Sequence, residues 1–148
     1  MRISTRGRYG LRAIVDIAAK TRNGTTVVSA RSIAETQGIS ENYLEQILAQ
    51  LKEHGLVVSV RGAGGGFKLS RGDHEITAGD VLRAVEGSLS PAECLDEPKL
   101  RGGKKANNAG CTSCDNCSAK GVIIKLFNSI NEVVDAITIL DILDNKIT

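Results

Sequence analysis

Apolar residues at the start of the chain recur every three or four positions, the rhythm of a helix with one buried face. Tyr9, Ala13, Ile14, Ile17 and Ala18 form that stripe, with Ser4 and Thr5 as caps. The predicted helix runs from about Arg6 to Thr21, keeps Arg6, Arg8 and Arg12 mostly off the stripe, and is broken by Asn23-Gly24. Ser29 caps a short helix in which Ala30, Ile33, Ala34 and Gln37 share a face. Gly38 ends it, Ile39 anchors the turn, and Ser40 caps the next helix, about Glu41 to His54, with Leu44, Ile47, Leu48 and Leu51 on one stripe. The polar first turn of that helix exposes Asn42, Tyr43, Glu45 and Gln46. Two short helices joined this way fit a helix-turn-helix, and on these residues alone they fit a generic helical hairpin equally well.

The rhythm then changes. Leu56 to Val60 reads as a strand, Arg61-Gly62-Ala63-Gly64-Gly65-Gly66 as a turn and Phe67-Lys68-Leu69 as a returning strand. A helix-turn-helix followed by a two-stranded hairpin is a winged helix. Arg61, at the base of the wing, is suited to a narrow minor groove, and Lys68 and Arg71 are suited to phosphates. Nucleotide binding by the glycines is disfavoured, because no Gly-Lys-Ser/Thr follows them and no helix starts there.

Thr77 caps a further helix carrying Ala78, Val81, Leu82 and Val85, with Asp80 placed for a capping box and Gly87 and Pro91 at its end. Residues 88–117 form the one long irregular segment. From about Ser118 to Asp144 a single helical pattern places Ile123, Phe127, Ile130, Val134 and Ile137 in steps of four and three, flanked by Val122, Leu126, Val133 and Leu140. Such a helix would span roughly 40 Å at 1.5 Å per residue, more than the small N-terminal domain can cover. Its apolar face is therefore expected to pair with a second copy, the alternative being packing within the chain. The expected fold is mainly α with a small β-wing. A winged helix-turn-helix DNA-binding domain spans 1–87, a cysteine-bearing loop 88–117, and a long C-terminal dimerisation helix with its tail 118–148.

Charge sharpens this picture. Residues 1–71 hold 11 Lys/Arg against 5 Asp/Glu, whereas the rest of the chain is net acidic, within an overall charge of +2. A basic N-terminal half points to a polyanion partner, and a two-fold dimer would present two winged helices to a pseudo-palindromic duplex. With 41% hydrophobic residues and 3% aromatics, the core must be aliphatic. No apolar run approaches the roughly 20 residues of a membrane helix, and no signal peptide is visible, so a soluble cytoplasmic protein is expected. No nucleophile–base pair or paired carboxylate argues for an enzyme.

All four cysteines, Cys94, Cys111, Cys114 and Cys117, lie in the loop, three of them within seven residues. Four soft thiolates complete a tetrahedral zinc site or hold an iron–sulfur cluster; structural cysteines or two disulfides are the alternatives. Clustered cysteines in an intracellular chain favour a metal centre.

Three stretches resemble small bacterial winged-helix regulators: Met1-Arg2-Ile3-Ser4-Thr5-Arg6-Gly7-Arg8-Tyr9-Gly10, then Ile39-Ser40 with Tyr43-Leu44-Glu45-Gln46-Ile47-Leu48, and the wing Val60-Arg61-Gly62-Ala63-Gly64-Gly65-Gly66-Phe67. Within that family, which includes IscR, NsrR and CymR, the chain looks most similar to the IscR-like iron–sulfur regulators, over nearly its whole length. The resemblance implies a homodimeric transcription factor whose promoter choice is tuned by a [2Fe–2S] cluster, regulating iron–sulfur cluster biogenesis. It implies Cys94, Cys111 and Cys117 as ligands. The family's fourth ligand, a histidine, is replaced by Lys120, and the loop between Cys94 and Cys111 is longer than usual, which leaves Cys114 as the candidate fourth ligand. Ser40, Asn42, Tyr43 and Gln46, with Arg61 and with Arg2 and Tyr9 near the N-terminus, are implied to face DNA. Glu45 matches a glutamate that discriminates between two classes of site. Lys99, Arg101, Lys104 and Lys105 either offset cluster charge or solvate the loop. A nitric-oxide or redox sensor with a [4Fe–4S] cluster and a zinc-stabilised constitutive repressor are the alternatives on the same fold.

Overall fold

Helix α1 (Thr5–Arg22) is the hub, because residues on more than one side of it are small or aliphatic enough to be covered. Ala13, Ile14, Ile17 and Ala18 are buried, and α1 touches nearly every other element of the N-terminal domain. A computed structural model describes residues 2–95, 100–101, 104–105 and 116–147. The Ser4 hydroxyl caps α1 by accepting from the Gly7 N–H at 3.2 Å.

Helices α2 (Ala30–Gln37) and α3 (Glu41–Glu53) follow, capped by Ser29 and Ser40. Gly38 closes α2 with φ of +64°, a left-handed turn that a side chain would strain. Buried Ile39 then pins the turn to the core, and α3 lays Leu44, Ile47, Leu48 and Leu51 against it, each with no exposed surface.

Strands β1 (Val57–Val60) and β2 (Gly66–Leu69) pair antiparallel, Val57 opposite Leu69 and Val60 opposite Gly66. Val28 adds a bridge to the outer side of the wing, exchanging two backbone hydrogen bonds with Phe67 at 2.8 and 2.7 Å. Any side chain at Gly66 would run into the Val28 carbonyl, so glycine is required for that close approach. Helix α4 (Ala78–Glu86) opens on the expected capping box of Thr77 and Asp80.

The segment after α4 is not wholly irregular. A single 3-10 turn covers Glu93–Leu95, and β3 (Leu100–Arg101) pairs antiparallel with β4 (Lys104–Lys105). The sequence signal for that pairing is the Gly102-Gly103 dipeptide between the two strands.

The expected single helix from Ser118 to Asp144 is corrected. Helix α5 (Lys120–Ala136) stops at Ile137, which is extended, and a separate short helix α6 (Ile139–Leu143) begins after Thr138. Thr138 and Asp141 form a second capping box, with the Asp141 carboxylate accepting from the Thr138 N–H at 3.0 Å. The backbone at the break pairs with the strand-like entry to α4: Ala78 N–H donates to Ile137 O at 2.8 Å and Ile139 N–H to Ile76 O at 2.9 Å. This turn carries Ile139 into the core with no exposed surface, and Ile142 and Leu143 pack beside it. A straight continuation would leave those side chains outside the N-terminal core, forfeiting about 1.5–3 kcal/mol for each one fully buried. The C-terminal residues thus complete the winged domain, and α5 spans only about 25 Å. An ion pair of Arg22 with Asp144 at 2.8 Å fastens the end of α6 to the end of α1.

Candidate nucleic-acid interface and cysteine segment

The first turn of α3 presents the side chains expected to face DNA. Ser40, Asn42, Glu45 and Gln46 are exposed, and Tyr43 is half-buried. Ser40 is both a candidate contact and the helix cap, its hydroxyl accepting from the Tyr43 N–H. Tyr43 meets Tyr9 of α1 edge-on, with ring centroids 6.0 Å apart and planes at 75°. Tyr9, expected both in the core stripe and facing DNA, therefore stands half-buried beside α3.

Beneath α2 lies a polar network that hydropathy reading passed over. Asp16 is the buried charged residue of α1, at 7% exposure. It accepts from Lys20 Nζ at 2.6 Å and from Gln37 Nε2 at 3.1 Å. Lys20 also reaches the Ser32 hydroxyl at 3.0 Å and the Thr36 hydroxyl at 2.8 Å. Every polar group in this set gains a partner, which keeps its burial from being costly and fixes α2 on α1. The one advance signal was the (i, i+4) spacing of Asp16 and Lys20.

On the wing, Arg61 and Lys68 are exposed. Arg71, also exposed, donates to Asp80 at 3.2 Å and to the carbonyls of Glu75 and Gly55. These contacts brace the base of the wing against α4. Arg2 is exposed and lines a cavity of 170 Å³ together with Leu82, Glu86, Ile130 and Val134, next to the contact between α4 and α5.

That contact is held by a fork. Arg83 donates to both carboxylate oxygens of Asp135 and to Asn131 Oδ1, each at 2.8 Å, and the hydrogen bond to Asp135 raises the guanidinium pKa. Ile123, Phe127, Ile130, Val134 and Ile137 are half-buried within the single chain. The most exposed apolar positions of α5 are Val122 at 64%, Val133 at 59% and Leu126 at 53%.

Cys94 sits in the 3-10 turn and Cys117 just before α5; both are half-buried and neither is in a disulfide. Cys111, Cys114 and the loop's Lys99 lie outside the described residues, and nothing is described of the side chains of Arg101, Lys104 and Lys105. Two free thiols flanking a segment that carries two more form a donor set suited to zinc or an iron–sulfur cluster. Neither histidine joins them: His54 caps α3 and bonds Gln50 O at 2.9 Å, and His74 is exposed beside Asp73. Lys120 is exposed in the first turn of α5. No helix among the described residues is long and apolar enough to cross a membrane.

A capped recognition helix on a helical scaffold, with a two-stranded wing behind it, defines a winged helix-turn-helix DNA-binding protein. A family profile, Rrf2, described as "Iron-dependent Transcriptional regulator", matches residues 3–145. The chain is 37% identical to the regulator CymR of Bacillus subtilis over 96% of its own length and 89% of that protein. The structure of that CymR, described as the global cysteine regulator, superposes with a TM-score of 0.73 at 33% identity, covering 98% of each chain. The solved IscR of T. potens superposes with a TM-score of 0.72 at 40% identity, covering 99% of this chain and 88% of that one. IscR of Pectobacterium carotovorum is 34% identical over 99% of this chain and 81% of that protein. The chain belongs to the Rrf2 family of DNA-binding transcriptional regulators.

Proposed function

We propose that the chain works in the cytoplasm as a homodimeric regulator whose choice of promoter sites is set by an iron–sulfur cluster on Cys94, Cys111, Cys114 and Cys117. Its targets would be genes of cluster biogenesis. The observation that carries this reading is the placement of two half-buried thiols outside disulfides, Cys94 and Cys117, at the two ends of the segment joining α4 to α5. A [2Fe–2S] cluster bound there supplies a redox-active centre open to oxidants and to iron shortage.

The chain's own residues do the rest. Cys94 and Cys117 tie the segment to the winged domain and to α5, and Cys114 supplies the donor that Lys120 lacks. The Arg83 fork makes the end of α5 and the winged domain move together. Val122, Leu126 and Val133 lie four and seven residues apart on one side of α5 and join Ile123, Phe127, Ile130, Val134 and Ile137 in facing a second copy. Two copies of Ser40, Asn42, Tyr43, Glu45, Gln46 and Arg61 then read the halves of a pseudo-palindromic site, with Arg2 and Tyr9 supporting them.

A second reading is favoured by the likeness to CymR, described as a cysteine regulator. On that reading the thiols hold no cluster and the winged domain answers to another signal.

Anaerobic purification with an absorption spectrum and assays of iron, sulfide and zinc separates the readings. About two iron and two sulfide per chain with a visible charge-transfer spectrum is the expected result. Cys114→Ser should lower cluster content or shift that spectrum. Colourless protein that resists reconstitution, with or without zinc, removes the cluster and leaves the DNA-binding assignment intact.

A further inference from the structure

Among the described arginines, Arg22, Arg31, Arg71 and Arg83 each pair with a carboxylate. Arg12 is held as firmly by neutral partners. Its Nε donates to Gln37 Oε1 at 2.9 Å and its Nη2 to the Gln37 carbonyl at 2.7 Å, at the end of α2. Its guanidinium carbon lies 5.4 Å from the centroid of the Tyr9 ring, whose other contact is Tyr43 on the recognition helix. Arg12 is exposed, and no described residue accepts from its Nη1.

The amide of Gln37 explains why this cation has no carboxylate partner. Its oxygen faces Arg12, and its nitrogen donates to Asp16, one helical turn along α1 from Arg12. A neutral side chain thus stands between the guanidinium and the buried carboxylate, and Asp16 is occupied by Lys20 instead. The outcome is a rigid, un-neutralised fork at the junction of α1, α2 and the first turn of α3, within the basic half of the chain. Its open end, Nη1 beside the second N–H of Nη2, matches the oxygens of a phosphodiester. Exposed Arg61 and Lys68 carry charge on flexible stems. Arg12 has its ordering cost met within the fold, which strengthens whatever contact it makes.

We propose that Arg12 is a phosphate-contact residue of the DNA interface, preorganised by Gln37 and Tyr9, which sets the seating of α3 on the duplex backbone. The competing explanation is that Arg12 only locks α2 to α1.

Salt dependence distinguishes the two, because removing one phosphate-binding cation flattens the slope of log affinity against log salt by about 0.9. The full chain is titrated against a fluorescein-labelled mixed-sequence duplex and against the duplex it selects most tightly from a random pool, between about 50 and 200 mM salt. Arg12→Gln is expected to bind both duplexes about tenfold more weakly at low salt, with the slope reduced by about one per bound protomer. Arg12→Lys should recover most of the slope. Thermal melts show that each variant is folded at the assay temperature. Weaker binding with the wild-type slope would make Arg12 a structural lock, and unchanged binding would remove it from the interface; either result overturns the proposal.

Discussion

Truncating Ile139 tests the placement of the C-terminal residues, on which α5 and the winged domain depend for their relative position. Ile139 has no exposed surface and belongs to the same core as Ile14, Ile76 and Val81. Ile139→Ala removes three carbons, worth about 0.8 kcal/mol each in transfer free energy, or about 2.4 kcal/mol. The cavity left behind adds to this, because α1 and the entry to α4 close on the site from different directions and cannot both collapse into it. A loss of about 3–4 kcal/mol is expected, within the range of about 2–5 seen for such truncations. Urea unfolding followed by circular dichroism at several protein concentrations measures it, and the concentration series separates chain stability from association. Val133→Ala, at 59% exposure on α5, is the control: it should cost less than about 0.5 kcal/mol in the chain while weakening self-association. A loss under about 1 kcal/mol for Ile139→Ala would refute the buried placement and restore the single extended helix.

Other outcomes follow from the polar contacts. Asp16→Ala removes the acceptor of Gln37 Nε2 and leaves Lys20 only the oxygens of Ser32 and Thr36, and should cost about 1–3 kcal/mol in a thermal melt; a loss under about 0.5 would make the network incidental. Arg61→Ala should weaken duplex binding by about 1–3 kcal/mol if the side chain enters a groove, measured by fluorescence anisotropy, and a few tenths would place it on the rim. Glu45→Ala should relax discrimination between duplexes, because a carboxylate accepts from cytosine N4 and repels phosphate; equal discrimination by both proteins in a selection from random sequence would count against it. Hydrogen bonds from Thr138 hold the Asp141 carboxyl below its ordinary value of 3.8, and those from Arg22 and Lys146 do the same for Asp144. A depressed carboxylate stabilises the fold above its unfolded value and loses that contribution as pH falls through the folded one. Below pH 3.8, hydrogen-exchange protection at the Ile139 amide should therefore fall before protection at Leu48; parallel loss would show that the tail has no separate acid sensitivity.

Much of the winged domain was legible because its signals are local. Ser4, Ser29, Ser40 and Thr77 each cap the helix that follows them, and the glycine run between two short apolar stretches marks the hairpin of the wing. The cysteine spacing was equally plain. The Thr138 and Asp141 box was just as local, but the apolar period running up to it from Ile123 to Ile137 concealed it. Periodicity reports that a face is apolar, and says nothing of where a chain turns to bury it.

The sequence by itself determined the caps, the two short helices with their tight turn, the wing, the basic bias of the first half and the thiol-rich segment, since each depends on residues only a few positions apart. Tertiary structure decided what the polar side chains do. Asp16 meets Gln37 across 21 residues, Arg83 meets Asp135 across 52 and Arg22 meets Asp144 across 122. The same packing paired Arg71 with Asp80 and set Arg12 against an amide. A charged residue has the same hydropathy whether it faces water, a buried carboxylate or a carbonyl, and only the folded chain brings it the partner that distinguishes them.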